Sequence, residues 1–151
     1  VIILCMSYKG IYRPSYPKKY KGDQRNIIYR SLWERKFMNY CDLNENILEW
    51  ASEEFFIPYH DPTTNRVRRY FPDFSIKYKD KDGNIRRSVI EVKPMRETLE
   101  PKATKGKSRK TLINESVTYV KNQAKWKAAR EFCADRKLEF KIMTEKELGI
   151  R

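Results

Sequence analysis

The most constraining stretch of this 151-residue chain runs from Phe71 to Pro94. Near its middle, Asp80-Lys81-Asp82-Gly83-Asn84 is a strong hairpin turn. On one arm Asp73 sits between Phe71 and Phe74. On the other, Glu91 and Lys93 interrupt an apolar run made of Val89, Ile90 and Val92. A turn at 80–84 sets position 73 against position 91, and strand alternation puts Glu91 and Lys93 on one face. Three charges therefore converge at one end of a sheet. A solvated ion pair would account for a Glu-x-Lys tripeptide alone. Charges set among apolar residues at hairpin distance are costly unless used, and they point to a site.

Such a cluster has definite chemistry. Two carboxylates offer hard oxygen ligands, which suit Mg²⁺ or Mn²⁺. The Val92 carbonyl, between Glu91 and Lys93, is a further candidate ligand. A cation so held polarises a phosphodiester and activates water. Lys93 is placed to orient that water or to stabilise charge on the phosphate. The expected metal set from the residues alone is Asp73, Glu91 and the Val92 carbonyl.

Charge names the substrate class. Thirty-three Lys and Arg against twenty Asp and Glu give +13, which draws polyanions. Nucleic acid is favoured over a membrane surface: no run nears the ~20 apolar residues of a span, and no long basic amphipathic helix occurs. The cysteines Cys5, Cys41 and Cys133 are odd in number and widely spaced. They indicate a reducing compartment and neither a disulfide framework nor a zinc site. His60, the single histidine, lies in a turn and reads as structural more readily than as a general base. Residues 1–5 are apolar and too short for a signal peptide, so a start at Met6 is expected.

The chain reads as a basic arm over 1–30 followed by one domain over 31–151. Residues 8–30 interleave Tyr with Lys and Arg, and Pro14 and Pro17 exclude a helix interior there. Arg13, Lys18, Lys19 and Arg30 are candidate phosphate contacts; the alternative is an arm that packs its tyrosines on the domain. A helix is expected from Ser31, whose hydroxyl can cap it, with Glu34 at the capping-box position. Strands are expected over 54–59, 67–78 and 85–93 as an antiparallel meander. A basic linker over 95–110 offers Lys105, Lys107 and Arg109 to DNA. A helix over 112–136 should turn Val117, Val120, Ala124, Ala128, Phe132 and Cys133 inward, and Lys125 on it is another DNA candidate. A fourth strand at 138–143 and a short helix capped by Thr144 complete an α-β-β-β-α-β order, the long helix acting as crossover.

Pro72-Asp73 with Glu91-Val92-Lys93, in that order of elements, resembles the PD-(D/E)xK nuclease superfamily. The resemblance implies an α/β, restriction-endonuclease-like αβββαβ core with a mixed sheet flanked by helices. It implies that Asp73 and Glu91 bind the metal and that Lys93 assists the water. It also suggests Glu34, in Ser31-Leu32-Trp33-Glu34, as a third metal ligand, beside its capping reading. Gln123 is a candidate from the long helix, beside its reading as a surface amide. Longer matches cover nearly the whole chain: Tyr8-Lys9-Gly10-Ile11-Tyr12-Arg13-Pro14, Ile28-Tyr29-Arg30-Ser31-Leu32-Trp33-Glu34, Arg69-Tyr70-Phe71-Pro72-Asp73-Phe74 and Asn122-Gln123-Ala124-Lys125-Trp126. They resemble the head-completion nucleases of T-even-like tailed phages. That family implies an Mg²⁺-dependent endonuclease on double-stranded DNA at the portal end of a filled head before the tail joins. Portal or head-neck proteins would be its partners, in the host cytoplasm or on the virion, and a homodimer would let one site per protomer cut both strands. Lys127, where an exonuclease-like pattern has Tyr four residues after Gln123, argues against end-threading. Two rivals stand: a non-catalytic DNA-binding head-completion plug, and a transposon-end or junction-cleaving nuclease on the same fold.

Overall fold

The computed structural model describes residues 8–150. Residues 1–5, read above as an extension before Met6, lie outside them. In chain order the elements are β1 (Gly10–Ile11), β2 (Ile28–Tyr29), α1 (Leu32–Leu43), β3 (Ile47–Ser52), β4 (Ile57–Asp61), β5 (Arg66–Tyr70), β6 (Phe74–Lys79), β7 (Ile85–Val92), α2 (Met95–Thr98), α3 (Arg109–Asp135), β8 (Glu139–Met143) and α4 (Glu145–Leu148). The central sheet has the order β3-β6-β7-β8. Its first three strands run antiparallel, and β8 joins β7 in parallel. A parallel neighbour needs a long crossover, which α3 supplies. The mixed α/β core is thus α1-β3-β6-β7-α3-β8, the order expected from sequence.

Two of the expected strands are corrected. The meander begins at Ile47, not at 54–59; residues 57–61 instead pair with 66–70 as a separate two-stranded ribbon between β3 and β6. A register shift between Ile47 and Glu49 spoils the period-two signal of β3 and hides it in the sequence. The expected strand over 67–78 is two strands, β5 and β6, divided at Phe71-Pro72-Asp73. Pro72 has no N–H for a ladder, so the chain leaves one sheet there and enters the other.

Each sheet face has its own core. On one side Trp33, Phe37 and Met38 of α1 meet Phe74, Ile76, Ile90 and Val92. On the other, Trp126 and Ala129 of α3 meet Ile57, Tyr59 and Tyr70 of the ribbon. Ser31 caps α1, its Oγ accepting the Glu34 N–H at 3.1 Å. Thr144 and Glu147 form a reciprocal capping box on α4.

Within the described part of the expected arm, residues 8–30, tyrosines pack on the domain, the second of the two readings above. Tyr12, Tyr20, Ile27 and Tyr29 are buried in the α1-side core, so residue 30 divides nothing. Buried Asp42 fastens the segment: it accepts the Tyr12 hydroxyl at 3.0 Å and the backbone N–H groups of Ser15 and Tyr16 at 2.7 and 3.0 Å. Helix α3 begins at Arg109, capped by Ser108, so the basic linker over 95–110 is shorter than expected and includes α2. Of the expected inward face of α3, Ala124, Ala128 and Phe132 pack against the core and Cys133 is buried, while two residues are corrected. Val117 and Val120 are 41% and 42% exposed, whereas Asn122, Trp126, Ala129 and Cys133 are buried. The first three turns of α3 contain no buried residue, so their aliphatic spacing reports no core contact.

Candidate active site

The site forms where β6 and β7 end together. Phe74 pairs with Ile90, so the next residues outward are Asp73 and Glu91. Asp73 stands just before the strand, because Pro72 ends the ribbon one residue earlier. Its backbone carbonyl accepts the Glu53 N–H at 3.2 Å, and its Oδ2 accepts the Val92 N–H at 2.8 Å. That second bond ties the carboxylate of one strand to the backbone of the other. Glu91 is 6% exposed. Its Oε2 accepts the Tyr70 hydroxyl at 2.6 Å, and its Oε1 lies 3.6 Å from Lys93 Nζ. Alternation puts Glu91 and Lys93 on the same face, which also carries the long helix α3.

Burial and mutual repulsion govern the electrostatics. Burial holds the Asp73 carboxyl well above the usual carboxylate range; the charges of Glu91 and Glu34 push it further, against the Val92 N–H and Lys93. Glu34 is raised by burial, partly offset by the Arg30 N–H, with Glu53 and Glu91 adding to the rise. Burial and the neighbouring Glu91 push the Tyr70 phenol up, so it stays a donor. The fold thus holds Asp73 and Glu34 beside Glu91, where burial and neighbouring negative charge make ionisation of the first two harder. A cation relieves this.

The donor set fits a hard divalent ion. Among the described residues, the hydrogen bonds to Asp73 fall on Oδ2, and Glu91 commits Oε2 to Tyr70. Asp73 Oδ1 is left for a ligand, and Glu91 Oε1 is shared only with Lys93 Nζ, beyond hydrogen-bond distance at 3.6 Å. Among the described residues no three or more His, Cys, Asp or Glu side chains form a ready-made cage. Two carboxylates with water and phosphate oxygens are what Mg²⁺ commonly uses, in contrast to an all-protein shell.

The other expected residues divide. Glu34 lies close enough to feel Asp73 and Glu91 electrostatically, while its Oε2 accepts the Arg30 N–H at 2.8 Å. That bond is to the residue before the N-cap, so among the described residues the reciprocal capping box expected at Ser31 is not formed, and proximity to the cluster is what remains for Glu34. Gln123, half-buried on α3, makes no hydrogen bond to the cluster among the described residues. Lys125 comes nearer: its Nζ lies 5.9 and 5.8 Å from the ring centroids of Tyr59 and Tyr70. Burial lowers its pKa, Glu91 opposing. Arg13, Lys18, Lys105 and Arg109 are exposed. Lys19 and Lys107 are engaged within the fold. Lys19 Nζ donates to the carbonyls of Asp42 and Asn44 at 2.9 and 2.8 Å, and Lys107 Nζ to Glu115 at 2.8 Å. Arg30 grips Glu53 through Nε and Nη2 at 2.9 and 3.0 Å.

Two residues escaped the sequence reading. Tyr70 was visible only inside a matching motif, since its partner Glu91 belongs to another sheet. Glu53 takes a left-handed φ of 51° and donates its N–H to the Asp73 carbonyl. A non-glycine residue held there stores strain, and such strain gathers at functional sites.

Comparison with known proteins gives two findings. Residues 44–145 match the family model described as TnsA-like endonuclease N terminal. A protein of Enterobacteria phage T4, "Head completion nuclease", is 38% identical over 143 residues, spanning 93% of this chain and 93% of that protein.

Proposed function

The chain belongs to the TnsA-like endonuclease family, of restriction-endonuclease-like fold, and from that premise we propose a divalent-cation-dependent DNA endonuclease that acts in phage head completion. The observation that carries the reading is the meeting of Asp73, Glu91 and Lys93 at the shared end of β6 and β7 in a chain of net charge +13. The phage relative with nearly full coverage supports the setting.

Asp73 and Glu91 would hold the ion, with the Val92 carbonyl and Glu34 as candidate further oxygens. When bound, the ion supplies charge neutralisation and Lewis-acid polarisation of the scissile phosphodiester. The protein supplies the rest. The Val92 N–H and the Tyr70 hydroxyl fix the two carboxylates, so neither must reorganise on binding. Lys93 brings an ammonium beside the phosphate, where it orients the attacking water and stabilises developing charge. Lys125, on α3, adds positive charge from the opposite wall. Arg13, Lys18, Lys105 and Arg109 stand free to contact phosphates on either side. DNA, portal or neck components and a second copy of the chain are the proposed partners, at the assembling head in the host cytoplasm.

The test is cleavage of supercoiled plasmid with Mg²⁺ or Mn²⁺ by wild type, Asp73→Asn and Lys93→Ala. Wild type should nick and linearise; the variants should lose at least about a hundredfold, the scale of one positioned catalytic group. Equal residual nicking in all three would end the reading and favour a DNA-gripping plug, which binds without cutting. The family match also supports a second reading, a cutter of transposon ends or junctions. Faster cleavage of a branched substrate than of linear duplex would favour it.

A further inference from the structure

The β4–β5 ribbon has two unlike faces. Ile57, Tyr59 and Tyr70 point toward α3 and are buried. Register pairs Pro58 with Arg69 and His60 with Val67, so alternation puts Phe56, Pro58, Val67, Arg69 and Phe71 on the opposite face. All of these are exposed. Phe56 and Phe71 remain 44% and 46% exposed, and Val67 73%. The two phenyl rings lie 5.8 Å apart between centroids, and the Arg69 guanidinium sits 4.9 Å from the Phe56 centroid. A pair that only braced the ribbon would be expected on its buried side, where the core already is. Water-exposed apolar surface of this kind is normally kept for a partner.

Position names the partner. Phe71 lies two residues before Asp73, so their Cα atoms are at most about 7 Å apart. That is on the order of two nucleotide spacings along a strand at about 3.4 Å each. Exposed aromatic rings with an arginine above one of them make a sequence-tolerant stacking surface for nucleobases. In intact duplex each base face is already covered by its neighbours, so the rings can take only an unpaired base.

We propose that Phe56, Phe71 and Arg69 form a stacking platform for an unpaired nucleotide beside the scissile phosphate, making DNA with a frayed end or a single-stranded flap the preferred substrate. This rests on the nuclease reading above for the identity of the neighbouring site. The strand would leave the carboxylates toward the exposed Phe71 and lay one base on the phenyl rings. Arg69 would cover the base edge or its phosphate.

Binding tests this without cleavage. Asp73→Asn protein, which should leave DNA uncut, is titrated by fluorescence anisotropy with a fully paired duplex and with the same duplex carrying a few unpaired terminal nucleotides. The frayed DNA should bind about tenfold more tightly, the low end of base–aromatic stacking. In Asp73→Asn carrying Phe56→Leu and Phe71→Leu, the ratio of the two affinities should fall to about one. A ratio near one in the parent, or an unchanged ratio in the leucine variant, overturns the platform; the second outcome leaves the rings to a protein partner. A cross-link guards against misfolding of the variant. 5-Iodouracil at the unpaired position, irradiated with the unaltered ribbon, should attach to Phe56 or Phe71 by peptide mass spectrometry. Adducts confined to residues 8–30 or 99–108 overturn the proposal. Absent plasmid cleavage by wild type would sink the nuclease reading instead, and it leaves the affinity ratio and the cross-link interpretable.

Discussion

Tyr70 is a residue whose worth depends on one hydrogen bond. Its hydroxyl donates to Glu91 Oε2 at 2.6 Å inside the core, and outer partners of this kind typically change metal affinity 10- to 100-fold. Tyr70→Phe should therefore weaken Mn²⁺ binding at least about tenfold, measured by electron paramagnetic resonance titration of free Mn²⁺, with the melting temperature of the metal-free protein nearly kept. Asp73 is the converse case, since its ionised form is disfavoured by burial and by Glu91 and Glu34. Its folded pKa lies above the unfolded value of about 3.9. Across the window between those two values the folded state binds more protons, so this group's contribution falls as pH rises. Asp73→Asn should thus melt higher than wild type at pH 7 in chelator, and the gap should close toward pH 4. Saturating Mg²⁺ should raise the wild-type melting temperature and leave the variant nearly unmoved. A wild type that melts above Asp73→Asn in chelator would contradict the strain assigned to the carboxylates.

At the scale of elements, helix ends and the ribbon tell different stories. The α1 cap was readable because Ser31 and Glu34 stand at fixed spacing before an apolar face. Ser31→Ala should cost about 1 kcal/mol in chemical denaturation, the usual worth of such a cap. Helix α3 was readable as a helix, and its inward face was right from Ala124 to Cys133 and wrong at Val117 and Val120. Its N-terminal half contains no buried residue between Arg109 and Lys121, so it should exchange amide hydrogens much faster than the stretch from Asn122 to Cys133. Equal protection along the helix would mean that something covers Val117 and Val120. The ribbon was the least legible element. Its strands are five residues each, and β5 reads Arg-Val-Arg-Arg-Tyr, whose alternation is drowned by charge. Pro72 was visible as a break, but only the paired register shows that it separates two sheets.

For the whole molecule, the +13 charge predicts DNA binding that weakens steeply with salt. Each phosphate contact removed should lower the slope of log affinity against log salt by about 0.9. Lys105→Gln should do so, because Lys105 is exposed. Lys107→Gln should leave the slope nearly unchanged, because its ammonium is already held by Glu115 at 2.8 Å and by the Lys102 carbonyl at 2.9 Å. A slope change for Lys107 equal to that for Lys105 would show the tie to be released on DNA. The segment over 8–30 illustrates the same limit of charge counting. Its lysines and arginines suggested phosphate contacts, and its tyrosines an arm packed on the domain. Tyr12, fastened by buried Asp42, and the buried Tyr20 and Tyr29 make it part of the core.

What the residues determine alone is the local and the near-neighbour: a cap three residues from its acceptor, a tight turn, and two carboxylates and a lysine that one hairpin must bring together. These follow from periods and spacings fixed by backbone geometry. The tertiary structure alone decides which distant side chain completes a buried group. Tyr70 reaching Glu91 across two sheets, Lys19 closing α1 and the outward phenyl rings of the ribbon all depend on packing between elements, and no spacing along the chain encodes that distance.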